Sequence, residues 1–136
     1  MKRIIGAIVA VFVLWGVLDF LLHGVLMTQM YAATAPLWRP RAEMQLWLIY
    51  LVTLISAGCF VGIYGLLTGD GSLTGALRYG LLFGVAAGMS MGFGMYAVMP
   101  IPLGMAVIWC LGILVESLAG AWVAWAVLRR GSAGRG

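Results

Sequence analysis

Four apolar blocks, roughly residues 4–31, 44–67, 76–99 and 103–128, take up almost the whole of this chain. About 20 consecutive apolar residues in a helix cross the ~30 Å of hydrocarbon in a bilayer. Backbone N–H and C=O groups must be paired inside lipid, so only helices and closed barrels cross it. The blocks lack the period-two alternation of a barrel strand. The expected fold is therefore all-α, a four-transmembrane-helix bundle forming one integral membrane domain over residues 1–136. Charged residues make up 9% of the chain, against about 25% in soluble domains, and the mean hydropathy is +1.09. Too few polar residues remain to clothe a soluble domain.

The first block opens Met1-Lys2-Arg3 like a signal peptide, but its apolar run is too long for one. The Ala-x-Ala-like site at Ala33-Thr34-Ala35 lies far downstream, so retention as a spanning helix is expected. Lys2, Arg3, Arg78, Arg129, Arg130 and Arg135 fall on one side of the four-span layout, and Arg39 and Arg41, with Glu43, on the other. The more basic side faces the cytoplasm. Both termini are thus expected in the cytoplasm, with the protein in a bacterial inner membrane. The net charge of +4 then reflects topology and contact with lipid headgroups, with no nucleic-acid partner. Cys59 and Cys110 fall inside spans and read as small apolar residues.

Three loops join the blocks. Residues 28–43 carry Pro36, Trp38, Arg39, Pro40 and Arg41 and suit the membrane interface. Thr68-Gly69-Asp70-Gly71-Ser72 reads as a tight polar turn. Met99-Pro100-Ile101-Pro102 ends one helix and starts the next. Met30-Tyr31-Ala32 before Pro36 resembles Met95-Tyr96-Ala97 before Pro100, and residues 57–62 resemble 119–124. A duplicated helical hairpin with a pseudo-twofold axis along the membrane normal explains both matches; chance in a low-diversity apolar alphabet is the other explanation. Asp19 and Glu116 have no counterpart in the opposite half.

Small residues recur every four positions: Gly80, Gly84, Gly88 and Gly92 in the third block, Gly58 and Gly62 in the second, and Gly112 and Gly120 flanking Glu116 in the fourth. Residues four apart share a helix face, and in lipid such faces let two backbones approach closely. The partner is either inside the chain, a second copy in a homo-oligomer, or a larger membrane complex.

Asp19, His23 and Glu116 are the carboxyl and imidazole groups placed within the apolar blocks. Asp19 and His23 lie one turn apart on one face. Inserting an unpaired carboxylate at depth costs at least ~2.5–3.5 kcal/mol, whereas an interhelical hydrogen bond returns only about 0.6 kcal/mol on average. Packing alone is a weak reason to keep three such groups. Glu116 lies nearer the midplane than Asp19, so a direct pair requires the two helices to be offset. It is expected to be protonated, or bonded to Ser90, Thr53, Ser56 or a tyrosine hydroxyl.

These residues suggest an ion or substrate pathway, with Glu116 as a proton or cation carrier and Asp19 and His23 acting from the outer side. Two other classes stand beside this reading: an accessory subunit docking through its glycine faces, and a membrane enzyme using Asp19 and His23 as an acid–base pair. No nucleophile or cofactor motif supports the enzyme, and no cofactor is expected. Met91, Met95 and Met99, spaced by four, with His23 form a soft donor set of the kind that selects Cu(I); the alternative is that methionines fill gaps in packing. Haem bound through His23 and a methionine is chemically feasible but has no further support.

The run Leu18-Asp19-Phe20-Leu21-Leu22-His23-Gly24, with Tyr31, Leu37-Trp38-Arg39-Pro40 and Glu43-Met44, resembles small bacterial integral membrane proteins of the domain-of-unknown-function type. The resemblance implies a four-span layout and no particular activity. In size the chain is also similar to small multidrug resistance transporters, which have four helices and one embedded glutamate. Their glutamate lies in the first helix, whereas here the first helix carries Asp19 and the fourth Glu116.

Overall fold

The computed structural model describes residues 1–67 and 71–129. They contain six α-helices linked by short turns, and no strand occurs among the described residues. Helix α1 (Lys2–Leu21) runs into a π-helical turn, Leu22–Leu26, breaks at Met27, and is followed by α2 (Thr28–Ala33). Helix α3 covers Leu46–Leu67. Helix α4 (Leu73–Gly88) passes through a second π turn, Met89–Phe93, into α5 (Gly94–Val98), and α6 covers Leu103–Arg129. Four stretches, Lys2–Leu26, Leu46–Leu67, Leu73–Val98 and Leu103–Arg129, are long and apolar enough to cross a membrane, which supports a membrane location. The first is shorter than the expected 4–31 because the helix breaks at Met27.

The ends of these helices have local causes. Ser72 Oγ caps α4 by accepting from Gly75 N at 2.9 Å, satisfying an orphan donor of the first turn. Gly71, at φ 70°, has the left-handed backbone that glycine adopts without a steric penalty. The rest of the expected polar turn, residues 68–70, lies outside the described residues. Met99 is extended, at φ −122° and ψ 141°, because Pro100 follows it. Met99 therefore lies beyond the helix, and the expected Met91–Met95–Met99 stripe is broken there.

Helix α4 lies along α6, and α1 packs on both α6 and α3. Glycine makes the α4–α6 contact close. A Cβ at Gly80 would lie 2.7 Å from Ser117 O, and one at Gly88 would lie 2.7 Å from Cys110 O; Gly84 faces Leu114, and Gly92 faces Ala106 O. On a plain α-helix, each step of four residues drifts about 40° around the axis. The wider π turn after Gly88 takes back part of that drift and keeps Gly92 against α6. Gly58 and Gly62 depart from the expected pattern: a Cβ at either meets nothing within 4 Å. Helix α3 instead buries Ala57, Phe60, Val61 and Tyr64.

These contacts divide the molecule into two ends. At the terminal end, α1, α3, α4 and α6 share a dry core that includes Ala7, Val11, Trp15, Phe60, Val61, Ala76 and Ala124. There α3 meets α4 through aromatic side chains: Tyr79 O–H donates to Phe60 O at 2.7 Å, and Phe60 packs edge-on against Phe83 with ring centroids 4.9 Å apart. At the loop end, Met27, Ile101, Met105, Ala106 and Trp109 form a second core, which Met95 and Met99 join. Helix α3 does not join that core, and every residue from 46 to 52 is exposed. The two hairpins therefore pack differently, α4–α6 tightly and α1–α3 by its lower half, although each opens with a helix carrying a π turn.

Candidate functional site

Where α3 leaves the other helices, a cavity of about 1290 Å³ opens at the loop end. Its ionisable lining groups are Asp19, His23 and Tyr31 from the first hairpin, Arg39 and Arg41 from the first loop, Tyr50 on α3 and Glu116 on α6; the third span contributes Met91 and Met95. Much of the remaining wall is apolar, including Phe20, Leu46, Ile49 and Ile113.

The floor is set by the register of α1 against α6. Gly120 has no side chain, so the Trp15 indole lies against it, 2.8 Å from where a Cβ would sit. The Trp15 Nε1–H donates to Glu116 O at 2.8 Å. Two turns further along, Leu22 fills the space left by Gly112. The helices run antiparallel, so these two contacts pin the register and set Asp19 opposite Glu116, halfway between them. The Asp19 and Glu116 carboxyls both line the cavity there, near enough to act on each other electrostatically.

Glu116 Oε1 is shielded from solvent, and no N–H or hydroxyl donor reaches it. Of the hydroxyls expected to serve it, Thr53 donates instead to Ile49 O in its own helix, at 3.0 Å. Two carboxyl groups can hydrogen-bond only when one of them carries a proton. Such a pair could hold a proton between α1 and α6.

A polar chain leads from this pair toward the loop end. His23 Nε2 lies 3.8 Å from Asp19 Oδ1, and His23 Nδ1 lies 2.6 Å from the Tyr31 hydroxyl. Trp109 Nε1–H donates to the same hydroxyl oxygen at 3.0 Å. With that oxygen accepting from Trp109, the Tyr31 O–H is free to donate to Nδ1. In that arrangement a neutral His23 carries its proton on Nε2, facing Asp19. Residues 23 and 31 would sit about 80° apart on a regular helix. The π turn between them, a feature common at functional sites, together with the break at Met27, brings both side chains to one side.

Aromatic rings close the upper part of the chain. Trp38 packs edge-on against Tyr31 and against Trp109, with centroids 5.4 and 5.9 Å away, and its Nε1–H donates to Thr34 Oγ1 at 2.8 Å. Trp38, placed at the interface by the sequence reading, is thus part of the site's lid. Tyr31 and Trp109 were not among the expected site residues. Eight residues separate Tyr31 from His23, a spacing at which helical periodicity gives no sign of contact, and Trp109 comes from another helix.

Met91 and Met95 share the cavity with His23, and Met99 does not line it. Among the described residues, no three His, Cys, Asp or Glu side chains converge on one point as a coordinated metal ion needs. No family model, no curated protein and no solved structure matches this chain.

Proposed function

We propose that this protein is a small proton- or cation-handling transporter of a bacterial inner membrane, built as a four-helix transmembrane bundle. The observation that carries this reading is the Asp19–Glu116 carboxyl pair at the floor of a cavity, with His23 and Tyr31 leading from it toward the loop end. A membrane protein retains ionisable groups at depth mainly for such work. In this reading the carboxyl pair is the carrier, and His23 and Tyr31 pass protons to and from it. Lys2, Arg3, Arg78 and Arg129 lie toward the terminal end and Arg39 and Arg41 at the other; this imbalance supports cytoplasmic termini and a cavity that opens to the outside. In this reading the core below Trp15 closes the path on the cytoplasmic side, the arrangement of an outward-facing state.

The test is proton flux in liposomes under an imposed pH gradient. Glu116→Gln is expected to reduce flux to the protein-free background while leaving detergent-solubilised protein folded and monodisperse. Wild-type liposomes no leakier than empty ones would end this reading. One observation favours an accessory subunit as a second reading: Gly58 and Gly62 stay uncovered on α3. A larger partner that always copurifies, and is lost when both glycines are replaced by leucine, would support it.

A further inference from the structure

The mouth of the cavity has a chemistry separate from that of its floor. We propose that it seats one anionic phospholipid, with the phosphodiester held by Arg39 and Arg41 and an acyl chain laid in the gap between α3 and the third span.

Charge complementarity is the first argument. Arg39 and Arg41 both line the cavity, and among the described residues neither side chain makes an ion pair or a hydrogen bond. The acid of their loop, Glu43, is not part of the lining. Tyr50, near the top of α3, lines the same cavity, and its hydroxyl makes no hydrogen bond among the described residues. Two guanidiniums and a hydroxyl are thus unspent donors on one concave surface. Guanidinium forks match phosphate oxygens with paired, charge-assisted hydrogen bonds. The Asp19 and Glu116 carboxyls disfavour an anion at the floor, which keeps a phosphate at the mouth.

Shape is the second. The cavity, at about 1290 Å³, exceeds the ~300–1,000 Å³ of most small-molecule pockets, and its side is open. Every residue of α3 from 46 to 52 is exposed, and Met91, across the gap, is about half exposed. The wall there includes Phe20, Leu46 and Ile113. Such a surface is unfavourable against water and favourable against hydrocarbon, so in a bilayer the gap fills with acyl chain. The α3 lining runs from Leu46 to Thr53, about 10 Å along the helix at ~1.5 Å per residue. That is about two thirds of one leaflet of a ~30 Å core. A soluble anion meets the arginines but leaves the apolar wall bare. A zwitterionic lipid covers the wall but brings a cation to the arginines. An anionic phospholipid satisfies both.

The lipid supplies packing that α3 lacks at this end. Helix α3 takes no part in the core formed by Met27, Ile101, Met105, Ala106 and Trp109. A seated chain completes the cavity wall without any movement of α3, and a ligand bound only to the folded state stabilises that state.

The test uses purified, delipidated full-length protein in neutral detergent, titrated with phosphatidylglycerol or with phosphatidylcholine of the same acyl chains and followed by native mass spectrometry. The first phosphatidylglycerol is expected to bind about tenfold or more tighter than the first phosphatidylcholine, the order expected when two arginines share one phosphate. Arg39→Gln/Arg41→Gln alters two exposed side chains without partners and is expected to bring phosphatidylglycerol down to the phosphatidylcholine level. Lys2→Gln/Arg129→Gln removes the same charge at the other end and is expected to keep the preference. Phosphatidylglycerol is also expected to raise the melting temperature of the wild type more than phosphatidylcholine does, and the difference is expected to vanish in Arg39→Gln/Arg41→Gln. Excess glycerol phosphate, the headgroup chemistry without chains, is expected not to displace the lipid. Equal binding of the two lipids, an unchanged preference in Arg39→Gln/Arg41→Gln, or displacement by glycerol phosphate would each overturn the proposal. Glu116→Gln is expected to keep the bound lipid while losing proton flux, so the lipid site and the proton-handling reading fail or stand separately.

Discussion

At the scale of single residues, the carboxyl pair depends on residues that carry no charge. Glu116 lies between two glycines, and each admits a large side chain from α1, Leu22 at Gly112 and Trp15 at Gly120. Those contacts fix which residue of α1 meets Glu116. His23 is the only histidine in the chain, so selective imidazole ¹⁵N labelling gives a single pair of resonances. The spectrum is expected to show Nε2 carrying the proton and Nδ1 accepting a hydrogen bond from Tyr31. Tyr31→Phe removes that donor and is expected to shift the Nδ1 resonance, whereas Met99→Ala leaves it in place. A wild-type spectrum with the proton on Nδ1 would contradict the assigned direction of the chain. Asp19, His23 and Glu116 were legible in the sequence because ionisable groups are costly in an apolar block. Tyr31, Trp38 and Trp109 were not, because their contacts depend on the π turn and on helices far apart in sequence.

At the scale of elements, spacing alone does not tell a used glycine from an idle one. Gly80, Gly84, Gly88 and Gly92 lie against α6, and Gly58 and Gly62 repeat the spacing on α3 over open space. Gly88→Val puts side-chain carbon into the Cys110 carbonyl, a backbone atom that moves only with its helix. A loss of about 1–3 kcal/mol, typical of overpacking, is expected in denaturant titrations of the micelle-embedded protein. A Cβ at position 62 meets nothing within 4 Å, and Gly62→Val is expected to be neutral. Equal losses for the two variants would show that the α4–α6 contact is not as close as described. The π turns show the same limit: their sequences, Leu22–Leu26 and Met89–Phe93, read as ordinary helix, yet they aim His23 toward Tyr31 and keep Gly92 on α6.

For the whole molecule, the consequence is asymmetry between the ends. The terminal end is closed by aromatic contacts around Phe60 and Tyr79, and the loop end is opened by the departure of α3. With Cys59 and Cys110 replaced by alanine, a cysteine at Ile49 is expected to react with a membrane-impermeant thiol reagent added on the loop-end side, and one at Val61 to resist it from both sides. Modification at Val61 would show that the lower core is not dry. Labelling of Ile49→Cys from the cytoplasmic side alone would invert the proposed orientation.

Taken alone, the sequence determined four apolar helices and the presence of three ionisable groups among them, because both follow from local quantities: the length of apolar runs and the cost of charge in lipid. Tertiary structure decided which of those groups meet. The Asp19–Glu116 pair, the His23–Tyr31–Trp109 chain and the cavity come from interhelical register, two widened turns and the splay of α3. Those depend on contacts between residues as much as a hundred positions apart, such as Trp15 with Glu116, and no local pattern encodes them.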